Sequence, residues 1–439
     1  MAEQNQVPGL IIAAPSSGSG KTVVTLGVLA ALKARGVNVA SLKAGPDYID
    51  PAFHGKATGR PCLNLDPWAM RAETLEASVA EASKDAELLV VEGVMGLFDG
   101  ATLDLGSTAD IAKLTGWPIV LVVDSRSQGA SAAAQVLGFQ MYRDDIDIAG
   151  VIFNRVGSVK HQNVIRASMN RVLKNVPVLG MIPWEHDLEL PSRHLGLVQA
   201  AEQGGLKTII DSAADCIERH VDMGALHDLA TPWQAQGQVK PLPPLGQHIA
   251  VARDEAFAFS YPAVLQGWRN QGAEISFFSP LDDEAPDTNA DAIFLPGGYP
   301  ELHAYRLATA AQFLDGVRQA AEDGKTIYGE CGGYMVLGES VEDAEGIEHK
   351  MLGLLPLKTS FAKRKLHLGY RQLELLCDTP LGAQGSRFRG HEFHYASITH
   401  KGVAANLFGA IDAEGTDLRN IGLAAKNVFG SFAHLVDRS

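Results

Sequence analysis

The densest chemical signal in the chain is Gly20-Lys21-Thr22. It closes a loop of small residues at 14–20, which follows an apolar run at 10–13 and precedes a helical run at 23–35. Small residues let backbone N–H groups turn inward toward an anion, and the start of a helix adds partial positive charge. Lys21 in such a loop reaches the β- and γ-phosphates of a nucleoside triphosphate, and the Thr22 hydroxyl holds Mg²⁺. The expected phosphate ligands are therefore Ser17, Gly18, Ser19, Gly20, Lys21 and Thr22. One departure is visible: the pattern G-x-x-x-x-G-K-[ST] asks for glycine at position 15, where this chain has Pro15. The bland alternative is an ordinary Gly/Ser turn, and a Gly-Lys-Thr placed between strand and helix argues against it.

Acids at two further strand ends extend this chemistry. Asp47 lies in the polar loop after Lys43, and Glu92 ends the apolar run at 88–91. A Mg²⁺–nucleotide complex needs one or two carboxylates beside phosphate oxygens, so Thr22, Asp47 and Glu92 form a candidate set. A solvated loop carboxylate is the alternative for either acid alone. Lys43 is placed to touch a γ-phosphate or an activated carboxylate. Asn154, at another strand end, could read a nucleobase edge or simply shape a turn.

The second chemical signal is Cys331, in Tyr328-Gly-Glu-Cys331-Gly-Gly-Tyr-Met. A nucleophile on a tight strand-to-helix turn needs small neighbours because the backbone bends sharply there. A helix start also favours thiolate. Upstream, Leu295-Pro-Gly-Gly-Tyr-Pro-Glu301 is a glycine turn at another strand end, whose N–H groups could form part of an oxyanion hole. Gly297, Gly298 and Gly332 are the expected contributors. A cysteine nucleophile also needs a base, and His434 is the candidate. The alternative is a buried structural cysteine with an unrelated histidine near the tail.

The elements that must position these groups alternate between strand and helix. Apolar runs at 37–42, 88–91, 118–123, 148–153 and 176–182 read as strands, and helical patterns lie between them, for example at 127–142 and 160–173. Such alternation predicts a mostly parallel sheet with helices on both faces and ligands at the strands' carboxyl ends. The segment 231–247 is rich in Pro and Gln and reads as an extended linker. A second alternation begins at 248, with strands at 249–252, 273–278, 292–295 and 326–328 and helices at 261–271 and 302–321. The expected organisation is a domain over 1–230, a linker over 231–247 and a second α/β domain over 248–439.

The sequence has 439 residues, 46% hydrophobic and 20% charged, which suits two or three domains of ~150 residues with ample core. Its net charge of −14 argues against a general nucleic-acid surface or a broad attraction to an anionic membrane. Apolar runs fall far short of the ~20 residues of a membrane span. The first residues lack a basic segment followed by an apolar one, so no secretory signal is expected. Cys62, Cys216, Cys331 and Cys377 are scattered, with no C-x-x-C, so neither a disulfide framework nor a zinc site is expected. A cytoplasmic protein with reduced thiols is the reading.

Several long stretches resemble one family. They are residues 14–22, K-A-G-P-D-Y-I-D-P-A-F-H at 43–54, A-T-G-R-P at 57–61, N-L-D-P-W at 64–68, V-E-G-V-M-G-L-F-D-G at 91–100 and P-S-R-H-L-G-L-V at 191–198. The resemblance is to the cobyrinate/hydrogenobyrinate a,c-diamide synthases of corrinoid biosynthesis. It implies a P-loop domain similar to dethiobiotin synthetase, with Mg²⁺–ATP on residues 18–22 and Asp47 and Glu92 as metal and phosphate ligands. It implies that ATP phosphorylates a carboxylate of the macrocycle and that ammonia then displaces phosphate. Lys43, Tyr48, His54, Arg60, Arg193 and His194 are the candidates, by their places in these motifs, for holding the polyanionic ring.

The second half resembles the class I glutamine amidotransferase domains, which have a flavodoxin-like α/β fold and release ammonia from glutamine through a cysteine thioester. The common form carries H-x-E, with a glutamate orienting the histidine, and here that position is Val436. The departure matches the branch found in corrinoid diamide synthases and leaves open what orients His434. R-G-H-E-F-H-Y at 389–395 and L-G-Y-R at 368–371 also resemble that branch. His391, Glu392 and His394 are then expected to take a structural or interdomain role rather than to hold a metal.

The expected partners are hydrogenobyrinate or cobyrinate, L-glutamine and ATP, and a homodimer is compatible with the sequence. Within the same class, the rivals are a cobyric acid synthase and an amidase acting on a nickel tetrapyrrole. From another class, the rival is a deviant P-loop switch ATPase with an inactive glutaminase-like domain. That class carries a lysine early in the loop, where this chain has Ser16.

Overall fold

The computed structural model describes residues 6–184, 192–193, 196–197, 205–234 and 239–439. The chain divides into two compact units. One comprises Met1–Trp68 and Ala72–Val239, and the other comprises Lys240–Ser439 together with Ala69–Arg71.

The first unit is built on β1 (Pro8–Ala13), β2 (Val39–Ala44), β3 (Leu63–Leu65), β4 (Leu88–Glu92), β5 (Ile119–Asp124), β6 (Ile148–Val156) and β7 (Val178–Pro183). They lie in the order β3-β2-β4-β1-β5-β6-β7, and all seven run parallel. The helices between them are α1 (Lys21–Ala34), α2 (Ile49–Thr58), α3 (Ala72–Ser83), α4 (Thr108–Thr115), α5 (Ala130–Tyr142) and α6 (Val159–Val172). Because helices cover both faces, the central strands are apolar without alternation. Leu88, Leu89, Val90 and Val91 of β4 and Val120, Leu121 and Val122 of β5 are all fully buried.

Parallel register fixes the working edge of this sheet. Lys43 of β2 pairs with Glu92 of β4, and Glu92 pairs in turn with Ile12 of β1, immediately before the glycine loop. The last residues of three neighbouring strands therefore open onto one place. Helix α5 starts at Ala130, three residues later than the pattern suggests. The first two residues of the expected linker, Thr231–Pro232, form a short antiparallel strand on β1.

In the second unit a six-stranded sheet has strands Glu274–Phe278, His248–Ala252, Ala292–Leu295, Thr326–Glu330, Val428–Ser431 and Leu423–Ala425 in that order. The first five are parallel and the last is antiparallel. The helical pattern at 302–321 is two helices, Ala304–Thr309 and Ala311–Glu322, broken at Ala310. Two further sheets formed after residue 339, the first mixed and the second antiparallel, were not foreseen. One has four strands, and the other has five, among them His367–Leu375, Arg387–His394 and His434–Arg438.

Candidate active sites in the two units

The loop after β1 turns through two glycines in the left-handed region, Gly18 at φ +79° and Gly20 at φ +87°. At Gly20 a side chain is excluded for a second reason: a Cβ would fall 2.2 Å from the Asn154 amide nitrogen. Asn154 Nδ2 donates to Ser19 O at 3.0 Å, and Arg155 Nη1 donates to Gly18 O at 2.7 Å. Asn154 and Arg155, at the end of β6, thus hold the loop by its carbonyls. Arg155 was not singled out from the sequence, because an arginine after a strand carries no local signature.

Lys21 opens α1 and is nearly buried, with Nζ 3.4 Å from Met95 O. Burial and the nearby Lys43 ammonium lower its pKa, against the pull of Glu92, Asp50 and Asp47. The Thr22 hydroxyl donates to Glu92 Oε1 at 2.7 Å and lies 3.2 Å from Asp50 Oδ2. Lys43 Nζ is 2.6 Å from Asp50, 3.3 Å from Glu92 and 3.8 Å from Asp47. Burial disfavours the ionised form of Glu92, but Lys43, His54 and Lys21 outweigh it and hold this carboxyl well below the usual range. Asp50 is pushed up to about 6 by burial and by Asp47, with Lys43 opposing.

These distances revise the expected ligand set. Asp50 was not among the expected ligands, yet it is the acid that joins Glu92 around Thr22. Asp47 accepts from the backbone N–H groups of Ile49 and Asp50 and so shapes the start of α2. Its side chain keeps 29% exposure. The signal was present as Asp47-x-x-Asp50: one acid caps the helix while the other, a turn later, points inward.

Among the expected ring-binding cations, Lys43 and His54 are instead buried partners of acids. His54 Nε2 is bonded to Glu92 Oε2, and its side chain is fully enclosed. Arg60 is not brought to the site. Its guanidinium bonds Asn38 Oδ1, Ala82 O and Lys84 O, at the amino end of β2 and the end of α3, the edge opposite the glycine loop. Tyr48 is half-buried at the start of α2. Arg193 lies in a two-residue strand paired with Gly196–Leu197. His194 is outside the described residues.

Beside the loop is a mainly apolar cavity lined by Gly20, Val23, Asn154, Arg155, Trp184 and Cys216. The Arg155 guanidinium carbon is 5.3 Å from the Trp184 ring centroid, within cation–π range. Among the described residues no three His, Cys, Asp or Glu side chains form a metal site on their own.

In the second unit, strand Thr326–Glu330 ends at Cys331, whose backbone is at φ +48°, ψ −104°, and helix Gly332–Leu337 follows at once. A non-glycine residue at such angles is strained, which is characteristic of a nucleophile on a sharp turn. The glycine turn upstream lies against it. A Cβ on Gly297 would fall 2.4 Å from His434 Cε1 and 3.2 Å from Cys331 Cβ, so any larger residue would displace the pair. The Gly333 N–H donates to Pro296 O at 3.0 Å, tying that turn to the helix. A Cβ on Gly332 would stand 3.0 Å from Gly298 N, so these two expected oxyanion contributors are close together.

His434 arrives from a different sheet. Strand Val428–Ser431 runs beside the cysteine strand, and after two residues the chain enters the five-stranded antiparallel sheet at His434. Burial disfavours the imidazolium, but the Cys331 sulfur and the Glu330 carboxylate outweigh it and raise His434 to about 9. A thiolate facing an imidazolium is the nucleophile of cysteine hydrolases. On the adjacent strand His391 lies opposite His434, with ring centroids 5.0 Å apart and 11° between planes. Glu392 is bonded to Arg371, and His394 Nδ1 meets Ala396 O at 3.1 Å.

Comparison with known proteins finds a match for each unit. Residues 10–198 match the CobQ/CobB/MinD/ParA nucleotide binding domain, and residues 248–439 match the CobB/CobQ-like glutamine amidotransferase domain. The chain is 56% identical over 433 residues to the hydrogenobyrinate a,c-diamide synthase of Brucella anthropi, covering 98% of each protein. It belongs to that family. The enzymes of the same name from Rhizobium meliloti and Rhodobacter capsulatus are 52% and 50% identical, the first covering 98% of this chain and 99% of its relative, the second 98% of each. The chain is thus an amidating ligase of α/β architecture, with an N-terminal P-loop unit and a C-terminal glutamine amidotransferase unit. The switch-ATPase reading is set aside.

Proposed function

We propose that this enzyme uses ATP and L-glutamine to convert the a and c carboxylates of hydrogenobyrinate, a metal-free corrin-ring acid, into amides. Functionally it divides into an amidoligase domain over 1–230, a linker over 231–247 and a glutaminase domain over 248–439. ATP places its phosphates on residues 17–22 and its base in the cavity beside Asn154, Arg155 and Trp184. Thr22, Glu92 and Asp50 fit Mg²⁺, because one hydroxyl and two carboxylates converge there and the remaining positions fall to phosphate and water. When bound, the cation offsets phosphate charge.

Lys21 draws negative charge from the γ-phosphate as a ring carboxylate oxygen attacks its phosphorus. The bond to the β-phosphate oxygen breaks, and ADP leaves with that electron pair. The acyl phosphate is then attacked at carbon by ammonia, and inorganic phosphate departs. In the glutaminase domain the Cys331 sulfur adds to the glutamine amide carbon, and His434 gives its proton to the departing ammonia. A water activated by the now neutral His434 cleaves the thioester to glutamate. Gly297, Gly298 and Gly332 surround the tetrahedral oxyanion. Tyr48 and Arg193 remain candidates for the other ring carboxylates. A catalytic thiol requires a reducing compartment, which supports the cytoplasm.

The observation that carries this reading is that one chain, alike over 98% of its length to named synthases, holds both a phosphate loop with its acids and a strained cysteine beside a buried histidine. The test is to supply hydrogenobyrinate labelled with ¹⁸O in its carboxylates, together with ATP and glutamine. One ¹⁸O should appear in inorganic phosphate for each amide formed, along with ADP. Formation of AMP and pyrophosphate, or unlabelled phosphate, overturns the acyl-phosphate route. Turnover of cobyrinate in preference to the metal-free acid overturns the substrate assignment.

A further inference from the structure

The family pattern leaves His434 without the glutamate that usually follows it, since position 436 is valine. A histidine acting as base and acid for a cysteine must present one ring nitrogen to sulfur and hold its proton on the other. In this unit Nε2 lies on the side of Gly297 and Cys331, within 3.1 Å of a Cβ built on Gly297. The opposite nitrogen, Nδ1, faces the carboxylate of Glu330, with Oε2 at 3.6 Å. Glu330 is itself 6% exposed and firmly held: its Oε1 accepts from the Tyr328 hydroxyl at 2.9 Å and from the Leu435 N–H at 3.0 Å. The second bond is informative, because Leu435 is the residue next to His434. One carboxylate therefore holds the strand that carries the histidine and stands within ion-pair range of its ring.

The other groups around His434 do not offer this. Asp437, three residues on, is used by Arg71, which donates to it from its backbone N–H, Nε and Nη2. His391 stacks face to face on His434 and gives its Nε2 to the Tyr261 hydroxyl at 2.7 Å, and burial, His434 and Arg371 keep it neutral. His394, on the same strand as His391, is lowered to about 3 by burial and by His367. Cys331 and Glu330 are the groups that raise the pKa of the ring, and these two neutral histidines lie near it.

We propose that Glu330, the residue immediately before the nucleophile, is the positioning carboxylate of this glutaminase and replaces the glutamate that normally follows the histidine. Placing it one residue before Cys331 makes the strained turn and the orienting acid one rigid unit. The carboxylate is already fixed by a tyrosine and a backbone N–H before substrate arrives. It keeps the Nδ1 proton in place and favours the imidazolium that must later protonate ammonia.

The inference rests on the roles proposed for Cys331 and His434, and the experiment separates the two levels. Glutamine hydrolysis is measured across pH for the parent, Cys331→Ser, His434→Ala, Glu330→Gln and Glu330→Asp. Glu330→Gln should lower kcat about 10²-fold, less than the ~10⁴ that loss of the orienting carboxylate costs a serine triad, because a thiol needs less activation. KM should change little. The alkaline limb of kcat should move down by a unit or more as the imidazolium loses its partner. Glu330→Asp, keeping the charge, should recover part of the rate and most of the limb.

A parent rate in Glu330→Gln, or a lowered rate with an unmoved limb, overturns the proposal while leaving Cys331 and His434 in place. Full activity in Cys331→Ser or His434→Ala overturns the underlying reading instead. If Glu330→Gln does not fold, histidine ¹⁵N NMR of the parent decides. Nδ1 of His434 protonated in both the charged and the neutral ring supports the proposal, and a neutral ring carrying its proton on Nε2 overturns it.

Discussion

The two candidate centres face opposite electrostatic problems. Around Thr22, the first unit buries Lys21, Lys43, Asp50, Glu92 and His54 together, so the site is dense with charge before any nucleotide binds. Around Cys331, the second unit holds one couple, His434 with its thiol, beside Glu330 and two neutral histidines. A triphosphate and a cation bring large charges, and only a network already balanced among fixed groups can accept them without rearrangement. Glutamine is neutral at the amide to be cut, so the second site invests in geometry, with a strained backbone, a glycine turn against Cys331 and a buried ring stacked on His391. Charge is the working element of one centre and shape that of the other.

The sharpest way to break this comparison is Cys331→Ala. Glutamine-dependent amidation should fall on the order of 10⁴-fold or more, as for removal of a covalent nucleophile. Amidation from high ammonia at pH above neutral should persist, because the charge-dense site is untouched. Chromatography of the diamide with each nitrogen donor decides it, and equal loss with both would mean the centres are not separable. Next in size, Lys21→Ala should cost on the order of 10²–10³ in amidation, comparable to losing one donor to a developing charge. Basal glutaminase should survive in that variant, and a coupled glutamate assay would show whether it does.

The acid network can be sharpened by pairing Asp50→Asn with Asp47→Asn. The first should raise the Mg²⁺ concentration needed for half-maximal turnover about 10-fold or more, as expected of a residue at the metal. The second should shift it far less, since Asp47 caps a helix. Equal shifts would restore Asp47 to the ligand set. The smallest effect concerns pH and stability. His434 rises to about 9 from an ordinary 6.5, so folding takes up a proton between these values. Its stabilisation, a few kcal/mol, is complete below about pH 6.5 and is lost as pH rises through about 9. Thermal midpoints of the parent should fall over that interval, and those of His434→Gln should fall less.

Reading the chain alone worked best where chemistry and local structure share one stretch. The glycine loop, the strand ends at Glu92 and Cys331, and the glycine turn at 296–298 each combine a short apolar run with a turn of small residues, and that junction locates them. It was weaker where a side chain's partner is distant. Arg60 sits in a motif beside active residues yet bonds carbonyls at the far edge of the sheet. Lys43 and His54 look like cations for a ligand and are consumed by buried acids. The sheets after residue 339 escaped because their strands mix polar and apolar residues without a clear alternation.

What the sequence by itself determined was the pair of α/β units, the phosphate loop with its lysine and threonine, and the cysteine turn with its histidine. Those depend on residue type and spacing within one turn or one strand. Only the tertiary structure decided which acid stands beside Thr22 and which carboxylate faces His434. Both choices depend on which strands lie side by side and in what register. Asp50 and Asp47 are three residues apart, and the start of a helix turns one inward and the other toward backbone N–H groups. Glu330 and His434 are separated by about a hundred residues, and they meet because the Cys331 strand and strand Val428–Ser431 are neighbours, so the chain leaving the latter reaches His434 beside Glu330.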